Sequence, residues 1–464
     1  MEISQLRSKQ ISVIGAARSG VGVARLLNRN GARVFVSDAG DAFKLANSLA
    51  ELKKENILYE AGSHSGRVFE CSLMVLSPGV PSDTPVVLEA KKRGIEVVSE
   101  LEVASWFCKA PIVAITGSNG KTTTTTLLGR VFSDAKKKHA VAGNIGEAFS
   151  NIVLALAETD VAVLEVSSFQ LDHIESFHPK ISVILNITRN HMDRYGNSME
   201  KYADSKARIF MNQATDDLLI YNEDDELTAK KAKSAGCRKL AFSTTKKVND
   251  GAFIHNGFLR TNIDGKGTDI INTSAISIRG EHNLQNAMAA TLAAQAMGVG
   301  PAYIRSTLRN FKGVEHRQEF VREFNGIKYV NDSKATTVEA VLRALSAFME
   351  PIVLILGGKD KGNDYSTMAD MVKQKVRAIV AVGYSAETIV KNFEKFVPVE
   401  RVDTIGNEIP NIVSMKKTID VATALAHRGD IVLLSPACTS FDWFTDYEER
   451  GRVFKSAVLS LQAN

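Results

Sequence analysis

Short apolar runs ending in Gly, Ser or Asp alternate along the chain with longer stretches whose apolar positions recur at helical spacing. That alternation predicts parallel strands joined by crossover helices, an α/β protein. In the N-terminal stretch it predicts strands over 11–14, 33–37 and 73–76, a helix ending near Gly31, and Asp38 delivered at the end of the second strand. A second block opens with VAITG at 113–117, continues with a helix over 124–132 and strands over 161–166 and 181–187, and ends in polar residues 246–268 that read as turns and hairpins. A third block carries strands over 327–330, 352–356, 378–382 and 431–434, the last three followed by loops containing Gly or Ser. At roughly 150 residues per domain, the 464 residues suffice for about three domains, and the blocks place them at 1–99, 100–313 and 314–464.

Composition removes several classes. Hydrophobic residues at 44% and charged residues at 23% fit a globular chain and exclude disorder, collagen and coiled coil. With 57 Lys plus Arg against 52 Asp plus Glu, the net charge of +5 is too small to draw in a nucleic-acid backbone, and no nucleic-acid partner is expected. Cys71, Cys108, Cys237 and Cys438 show no paired spacing, so neither a zinc site nor a disulfide framework is indicated. The start, MEISQLRSKQ, lacks the pattern of a signal peptide, and no apolar run reaches the roughly 18 residues of a membrane span. A cytoplasmic protein without membrane association is expected.

The main chemical signal is TGSNGKTT at 116–123, between an apolar strand and a helix. Its glycines let backbone N–H groups converge on phosphate oxygens, Lys121 supplies a mobile positive charge, and Thr122 can place its hydroxyl on magnesium. Ile115 stands where the general phosphate-loop pattern has its first glycine, so this is a variant loop, and ATP is the expected ligand. Glu165, at the end of the strand VAVLEV, is a candidate magnesium ligand, with a solvated strand cap as the alternative. His191, in the polar loop NITRNHMDRYG, is a candidate for metal or substrate, although a lone histidine is more often neither.

TGSNGKTT, GNIG at 143–146, LEVSSFQLD, NHMDRYG, EHNLQN, EHR, NDSKAT and LSPACTSFD together resemble the Mur ligase family over nearly the whole chain. The resemblance implies an N-terminal Rossmann-like domain for a UDP substrate, a central P-loop ATPase domain with a parallel sheet, and a C-terminal Rossmann-like domain for an amino acid. NDSKAT with SSFQLD is similar to the members that add D-glutamate to UDP-N-acetylmuramoyl-L-alanine in peptidoglycan precursor synthesis, and hence serve cell-wall biogenesis, cell shape and division. It implies an ATP-dependent, amide-forming ligation through an acyl phosphate and a tetrahedral intermediate, with two magnesium sites and a monomeric enzyme.

By the same resemblance, Gly117, Ser118, Asn119, Gly120, Lys121, Thr122 and Thr123 bind ATP, joined by Asn283, Asn286, Arg317 and the ribose-binding Asp332. Thr122, Glu165, His191 and a carbamylated Lys206 hold the metals; Lys121, Glu165, His191 and Lys206 form the catalytic set. Read from composition alone, Lys206 is a solvated helix lysine. Asn144 and His191 meet the muramoyl-peptide substrate, and Thr336, Lys361, Ser440 and Tyr447 take D-glutamate.

In the N-terminal block, GAARSG imitates a dinucleotide fingerprint, but Ala17 replaces the middle glycine that lets backbone approach a pyrophosphate. The resemblance assigns Arg18, Ser19, Asp38, Ser77, Pro78 and Gly79 to UDP recognition instead, with Ala39 and Gly40 where some relatives carry Thr and Arg. Competing readings are a nicotinamide-dependent oxidoreductase using Asp38, an ATP-dependent switch without catalysis, and other amino-acid ligases of the same fold, including folylpolyglutamate synthase. No DNPR motif is present, which separates the chain from ligases of the next, diamino acid.

Overall fold

The computed structural model describes residues 6–7, 9–190, 192–360 and 362–462. It forms two compact units, Met1–Ile276 with Glu281–Phe311 and Ser277–Gly280 with Lys312–Asn464.

The first unit holds two sheets. Five parallel strands, Gln10–Ile14, Arg33–Asp38, Leu58–Ala61, Leu73–Leu76 and Glu96–Ser99, lie in the spatial order third, second, first, fourth, fifth. The order reverses between the first and fourth strands, so the loops after Ile14 and Leu76 flank a crevice at the carboxyl end of the sheet. The helix Arg18–Arg29 follows the first loop, buries Val21, Val23, Ala24, Leu26 and Leu27, and is followed at Gly31 by a left-handed backbone.

The second sheet runs, edge to edge, through Lys266–Asn272, Phe258–Ile263, Gly251–His255, Arg238–Ser243, Leu218–Asn222, Ile181–Ile184, Ile112–Thr116, Val161–Glu165 and His139–Gly143. It is parallel except for the antiparallel hairpins at the first edge, where the sequence reads as turns and hairpins. Ile112–Thr116 and Val161–Glu165 are buried along their whole length, which is why they read as uninterrupted apolar runs. The helices Lys121–Asp134 and Glu281–Ala296 pack against each other. One apolar core runs from the first sheet into the second, through the helices Arg18–Arg29, Glu100–Trp106 and Phe149–Ile152. Glu102 pins this junction: its carboxylate accepts from the backbone N–H groups of Glu175, Ser176 and Phe177 and from the Trp106 indole.

The second unit holds six strands, in the order Glu319–Phe324, Ile327–Asn331, Ile431–Leu434, Ile352–Gly357, Val376–Val382, Val399–Val402, parallel apart from the first pair. The four strands expected here form its centre; the two at its edges, half exposed, carry no continuous apolar run. Among the described residues no helix is long and apolar enough to cross a membrane.

Candidate active site

The phosphate loop forms as its residues require. Gly117 has φ +152° and Gly120 has φ +84°, and Gly120 caps the helix that begins at Lys121, three residues before the predicted start. A Cβ on Gly120 would lie 2.2 Å from Asn286 Oδ1, so only glycine leaves this turn undisturbed. The N–H of Ser118 donates to the Asn186 carbonyl at 2.9 Å, that of Asn119 to Asn186 Oδ1 at 2.9 Å, and Ser118 Oγ to the Thr188 carbonyl at 2.9 Å. Asn186 and Thr188 therefore hold the loop open from the neighbouring strand end. Neither is among the site residues expected from the sequence; their signal is that both open the polar stretch NITRNHMDRYG, in which His191 is the expected site residue.

Two lysine nitrogens meet at one oxygen. Lys121 Nζ donates to the Gly117 carbonyl at 2.8 Å and to that of Ser118 at 3.1 Å, and Lys206 Nζ donates to the same Gly117 carbonyl at 2.9 Å. Lys206 is 1% exposed, with its Nζ 4.6 Å from the centre of the Tyr202 ring, not solvated on a helix face. Burial, reinforced by the Lys121 charge, holds its pKa well below the ordinary lysine value. Such a pair attracts an anion, and a phosphate chain would offset its repulsion.

Glu165 is buried at the end of its strand. Its Oε1 accepts from Asn144 Nδ2 at 3.1 Å, its carbonyl accepts from the Asn144 N–H at 2.9 Å, and Oε2 is buried with no hydrogen-bond partner. A buried carboxylate oxygen without a partner is costly unless a cation completes it. One carboxylate, the Thr122 hydroxyl and substrate phosphates are the donor set that magnesium prefers, so these residues suit that ion. Thr123 is buried in the first turn, and Thr124 Oγ1 bonds Asn286 Oδ1 at 3.2 Å while Asn286 Nδ2 donates to Asn283 Oδ1 at 3.1 Å. The EHNLQN asparagines thus stand against the phosphate loop. His191 lies outside the described residues.

Among the described residues the three-group cluster spaced for a metal is Glu315, His316 and Glu319. Lys455 Nζ already bridges Glu315 at 2.5 Å and Glu319 at 2.8 Å, so this is an ion-pair network.

At the crevice of the first sheet, both oxygens of Asp38 are engaged by backbone N–H groups, Ala16 at 2.6 Å and Gly40 at 2.7 Å. The carboxylate thus orders the loops, a task different from the ribose contact that an oxidoreductase would ask of it. Ser77 Oγ donates to the Gly15 carbonyl at 2.9 Å, joining the SPG turn to GAARSG; Pro78 is half-buried and Gly79 exposed. Arg18 is exposed and Ser19 half-buried at the start of their helix.

In the second unit, Arg317 sits between two residues of left-handed backbone, His316 at φ +63° and Gln318 at φ +45°. Asp332 accepts from Ser435 Oγ at 2.9 Å and from the Gln318 N–H at 3.2 Å, and burial pushes its pKa up to about 7 against the pull of Arg317 and Arg343. Thr336 is half-buried, its N–H donating to the Lys334 carbonyl at 2.9 Å. Ser440 is buried, and its carbonyl accepts from the N–H groups of Trp443 and Phe444. Backbone bonds between Lys359 and Thr439 bring the two loops together, although Lys361 itself lies outside the described residues. Lys334 Nζ is 5.2 Å from the Tyr447 ring centre, and burial, with Glu448 beside it, raises the Tyr447 pKa. Arg450, absent from the sequence reading, is buried and donates to Ser333 Oγ at 2.9 Å and to the carbonyls of Ser333 at 2.7 Å and Cys438 at 3.1 Å. It ties the NDSKAT turn to the loop carrying Ser440.

Comparison with known proteins shows the family. Residues 9–99 match the Mur ligase MurD-like N-terminal domain, residues 115–294 the Mur ligase middle domain, and residues 316–438 the Mur ligase glutamate ligase domain. Curated proteins named UDP-N-acetylmuramoylalanine--D-glutamate ligase, from Chloroherpeton thalassium and Salinibacter ruber, are each 43% identical, covering 99% of this chain and 100% of their own. The crystal structure of UDP-N-acetylmuramate-alanine ligase from Thermotoga maritima shares the fold, with TM-score 0.60 and 20% identity over 97% of this chain and 99% of that one. The chain is a three-domain α/β ligase of the Mur ligase family, in the branch whose curated members are the D-glutamate ligases.

Proposed function

We propose that this enzyme joins D-glutamate to UDP-N-acetylmuramoyl-L-alanine with hydrolysis of ATP to ADP and phosphate, a step of peptidoglycan precursor synthesis. The observation that carries the chemistry is the meeting of Lys121 and Lys206 on the Gly117 carbonyl, with Glu165 at the neighbouring strand end. A carboxylate resists attack by an amine because its oxygen is a poor leaving group. Transfer of the ATP γ-phosphoryl group to the alanyl carboxylate breaks the bond to ADP and makes an acyl phosphate. The D-glutamate amine then attacks the acyl carbon, and the tetrahedral intermediate expels phosphate as the amine sheds its proton.

In this reading the loop Gly117, Ser118, Asn119, Gly120 cradles the phosphates with Lys121, Thr122 and Thr123, while Asn283 and Asn286 support it. Magnesium at two sites would neutralise and orient the phosphates, with Thr122, Glu165, His191 and a carbamylated Lys206 as the residues that would hold it. The depressed pKa of Lys206 leaves more of it as free amine, the form that adds to carbon dioxide with loss of a proton and gives a carbamate oxygen for the metal. By the same resemblance Arg317 and Asp332 would contact ATP, Asp332 at its ribose. Arg18, Ser19, Asp38, Ser77, Pro78, Gly79 and Asn144 would hold the UDP substrate, and Thr336, Lys361, Ser440 and Tyr447 the acceptor. Domain limits near residues 99 and 313, a monomer and a cytoplasmic location complete the proposal.

The test is phosphate release from ATP with UDP-N-acetylmuramoyl-L-alanine and, separately, D-glutamate, L-glutamate, or L-lysine with diaminopimelate. Release with D-glutamate alone is expected; release only with another amino acid moves the substrate, and none at all returns the chain to the switch reading.

A further inference from the structure

The loop 77–83 carries Ser77, Pro78 and Gly79 to the crevice, and its far end is fixed from the other sheet. Ser82 Oγ lies 2.8 Å from His173 Nε2. His173 is only 7% exposed, its carbonyl accepts from the Ser99 N–H at 2.8 Å, and it stands eight residues after Glu165 in the chain. The exposed part of the loop is held as well: Arg194 Nη2 donates to the Gly79 carbonyl at 3.4 Å while its guanidinium lies 4.0 Å from the Phe169 ring centre. The neighbouring Tyr195 donates to Asp172 Oδ2 at 2.9 Å, and Asp172 precedes His173. Gly79, Arg194, Tyr195, Asp172, His173 and Ser82 therefore close a bracket around the loop.

The charge state of the ring suits an acceptor. Burial lowers the His173 pKa, aided by Lys91 and Arg208 and opposed by Asp172 and the Val97 backbone, so neutral imidazole is favoured. Neutral imidazole whose other nitrogen faces a backbone carbonyl has its free lone pair on Nε2, where the Ser82 hydroxyl donates.

We propose that His173 is a positioning residue for the UDP-substrate loop, holding residues 77–83 through Ser82 and linking that loop to the segment that follows Glu165. The inference deepens the proposed function and rests on its assignment of Ser77, Pro78 and Gly79. His173 is not among the residues assigned to ATP or to the acceptor, so its loss should weaken binding of one substrate only. The test measures calorimetric Kd for UDP-N-acetylmuramoyl-L-alanine, and KM for ATP and D-glutamate, in the full chain carrying Ser82→Ala, His173→Leu, both, or His173→Gln. Each single variant should weaken the UDP substrate by about fivefold, the worth of one hydrogen bond. The double should be no weaker than the weaker single, and His173→Gln, which keeps an acceptor near Nε2, should recover most of the loss. KM for ATP and D-glutamate should not move. Unchanged affinity in the singles, effects that multiply in the double, or an equal rise in all three constants would overturn the proposal. Failure of wild type to bind the UDP substrate would overturn it together with the proposed function, whereas the expected binding pattern without ligation would overturn the function alone.

Discussion

Gly143→Ala separates two costs that the structure places on neighbouring glycines. Gly143 has φ +103°, and a Cβ there would lie 2.4 Å from the Glu165 carbonyl oxygen and 3.3 Å from the Glu165 carbonyl carbon and nitrogen. These are backbone atoms of a fully buried strand, so the strand end must move. The forced backbone conformation costs about 1–3 kcal/mol and the overlap a further ~1–3 kcal/mol, together roughly 2–6 kcal/mol. Gly146 supplies the control. At φ +59° its added Cβ would meet nothing nearer than the Val141 carbonyl oxygen at 3.9 Å, so Gly146→Ala bears only the left-handed backbone, about 1–2 kcal/mol. At about 2 °C per kcal/mol for a large domain, calorimetry should lower the midpoint by roughly 4–12 °C for Gly143→Ala and by about 2–4 °C for Gly146→Ala. The strand end that moves carries Glu165, so half-saturating magnesium in the ligation assay should rise by roughly tenfold for Gly143→Ala and stay at the wild-type value for Gly146→Ala. Equal midpoints and equal magnesium requirements in the two variants would refute the argument.

Lys121→Ala should fold, since its ammonium donates to the Gly117 and Ser118 carbonyls of its own loop, and should lose ATP turnover by at least roughly a hundredfold; turnover near wild type would remove the phosphate-loop role. Lys206 has its folded pKa lowered, so its contribution to stability is present above the unfolded value of about 10.5 and lost as pH falls. In buffer free of carbon dioxide, Lys206→Met should therefore melt above wild type at neutral pH, with the gap closing by about pH 10.5, and should not ligate; lower stability at neutral pH would contradict the buried-charge argument. Asp332 has the opposite sign, with a folded pKa raised to about 7, so its stabilising contribution is complete below about pH 4 and lost as pH rises through 7. Asp332→Asn should remove a pH-dependent loss on the order of 4 kcal/mol between those limits, and identical unfolding profiles from pH 4 to 8 would show that the carboxyl is not held this way.

Most of the strands that the sequence revealed are buried along their whole length, although the buried strand Leu218–Asn222 was not among them. Ile112–Thr116, Val161–Glu165, Ile352–Gly357 and Ile431–Leu434 are apolar without interruption because helices cover both sides of their sheets. Edge strands escaped for the converse reason. Leu58–Ala61 and Val399–Val402 are mostly exposed or half-buried, and their composition does not differ from that of a loop. The helix after the phosphate loop begins at Lys121 although Lys-Thr-Thr-Thr-Thr is a poor helical sequence, because Gly120 in the left-handed region turns the chain into it and the threonines pack against the helix Glu281–Ala296. Tertiary packing there outweighs propensity.

The site shows a similar division, and Lys206 explains it. A motif announces backbone shape: TGSNGKTT spells a loop because glycine is needed where φ is positive, and Gly117 and Gly120 are both so placed. A lysine in MEKYADSKARIF announces nothing, since the same letters serve a solvated helix. Its meaning arises only when Met199–Ala207 packs so that Nζ reaches the carbonyl of Gly117, 89 residues away in sequence, and water is excluded. Arg450 and His173 are of the same kind: each joins loops distant in sequence, Ser333 to Cys438 in one case and Ser82 to the segment after Glu165 in the other. Groups that act on a ligand through the backbone are written locally in the sequence, whereas groups that act by crossing between loops are fixed by the burial that brings them together. Substitutions in the first class should therefore disturb one substrate site through local geometry, and those in the second should show coupling between pairs remote in sequence, which double-mutant cycles measure directly.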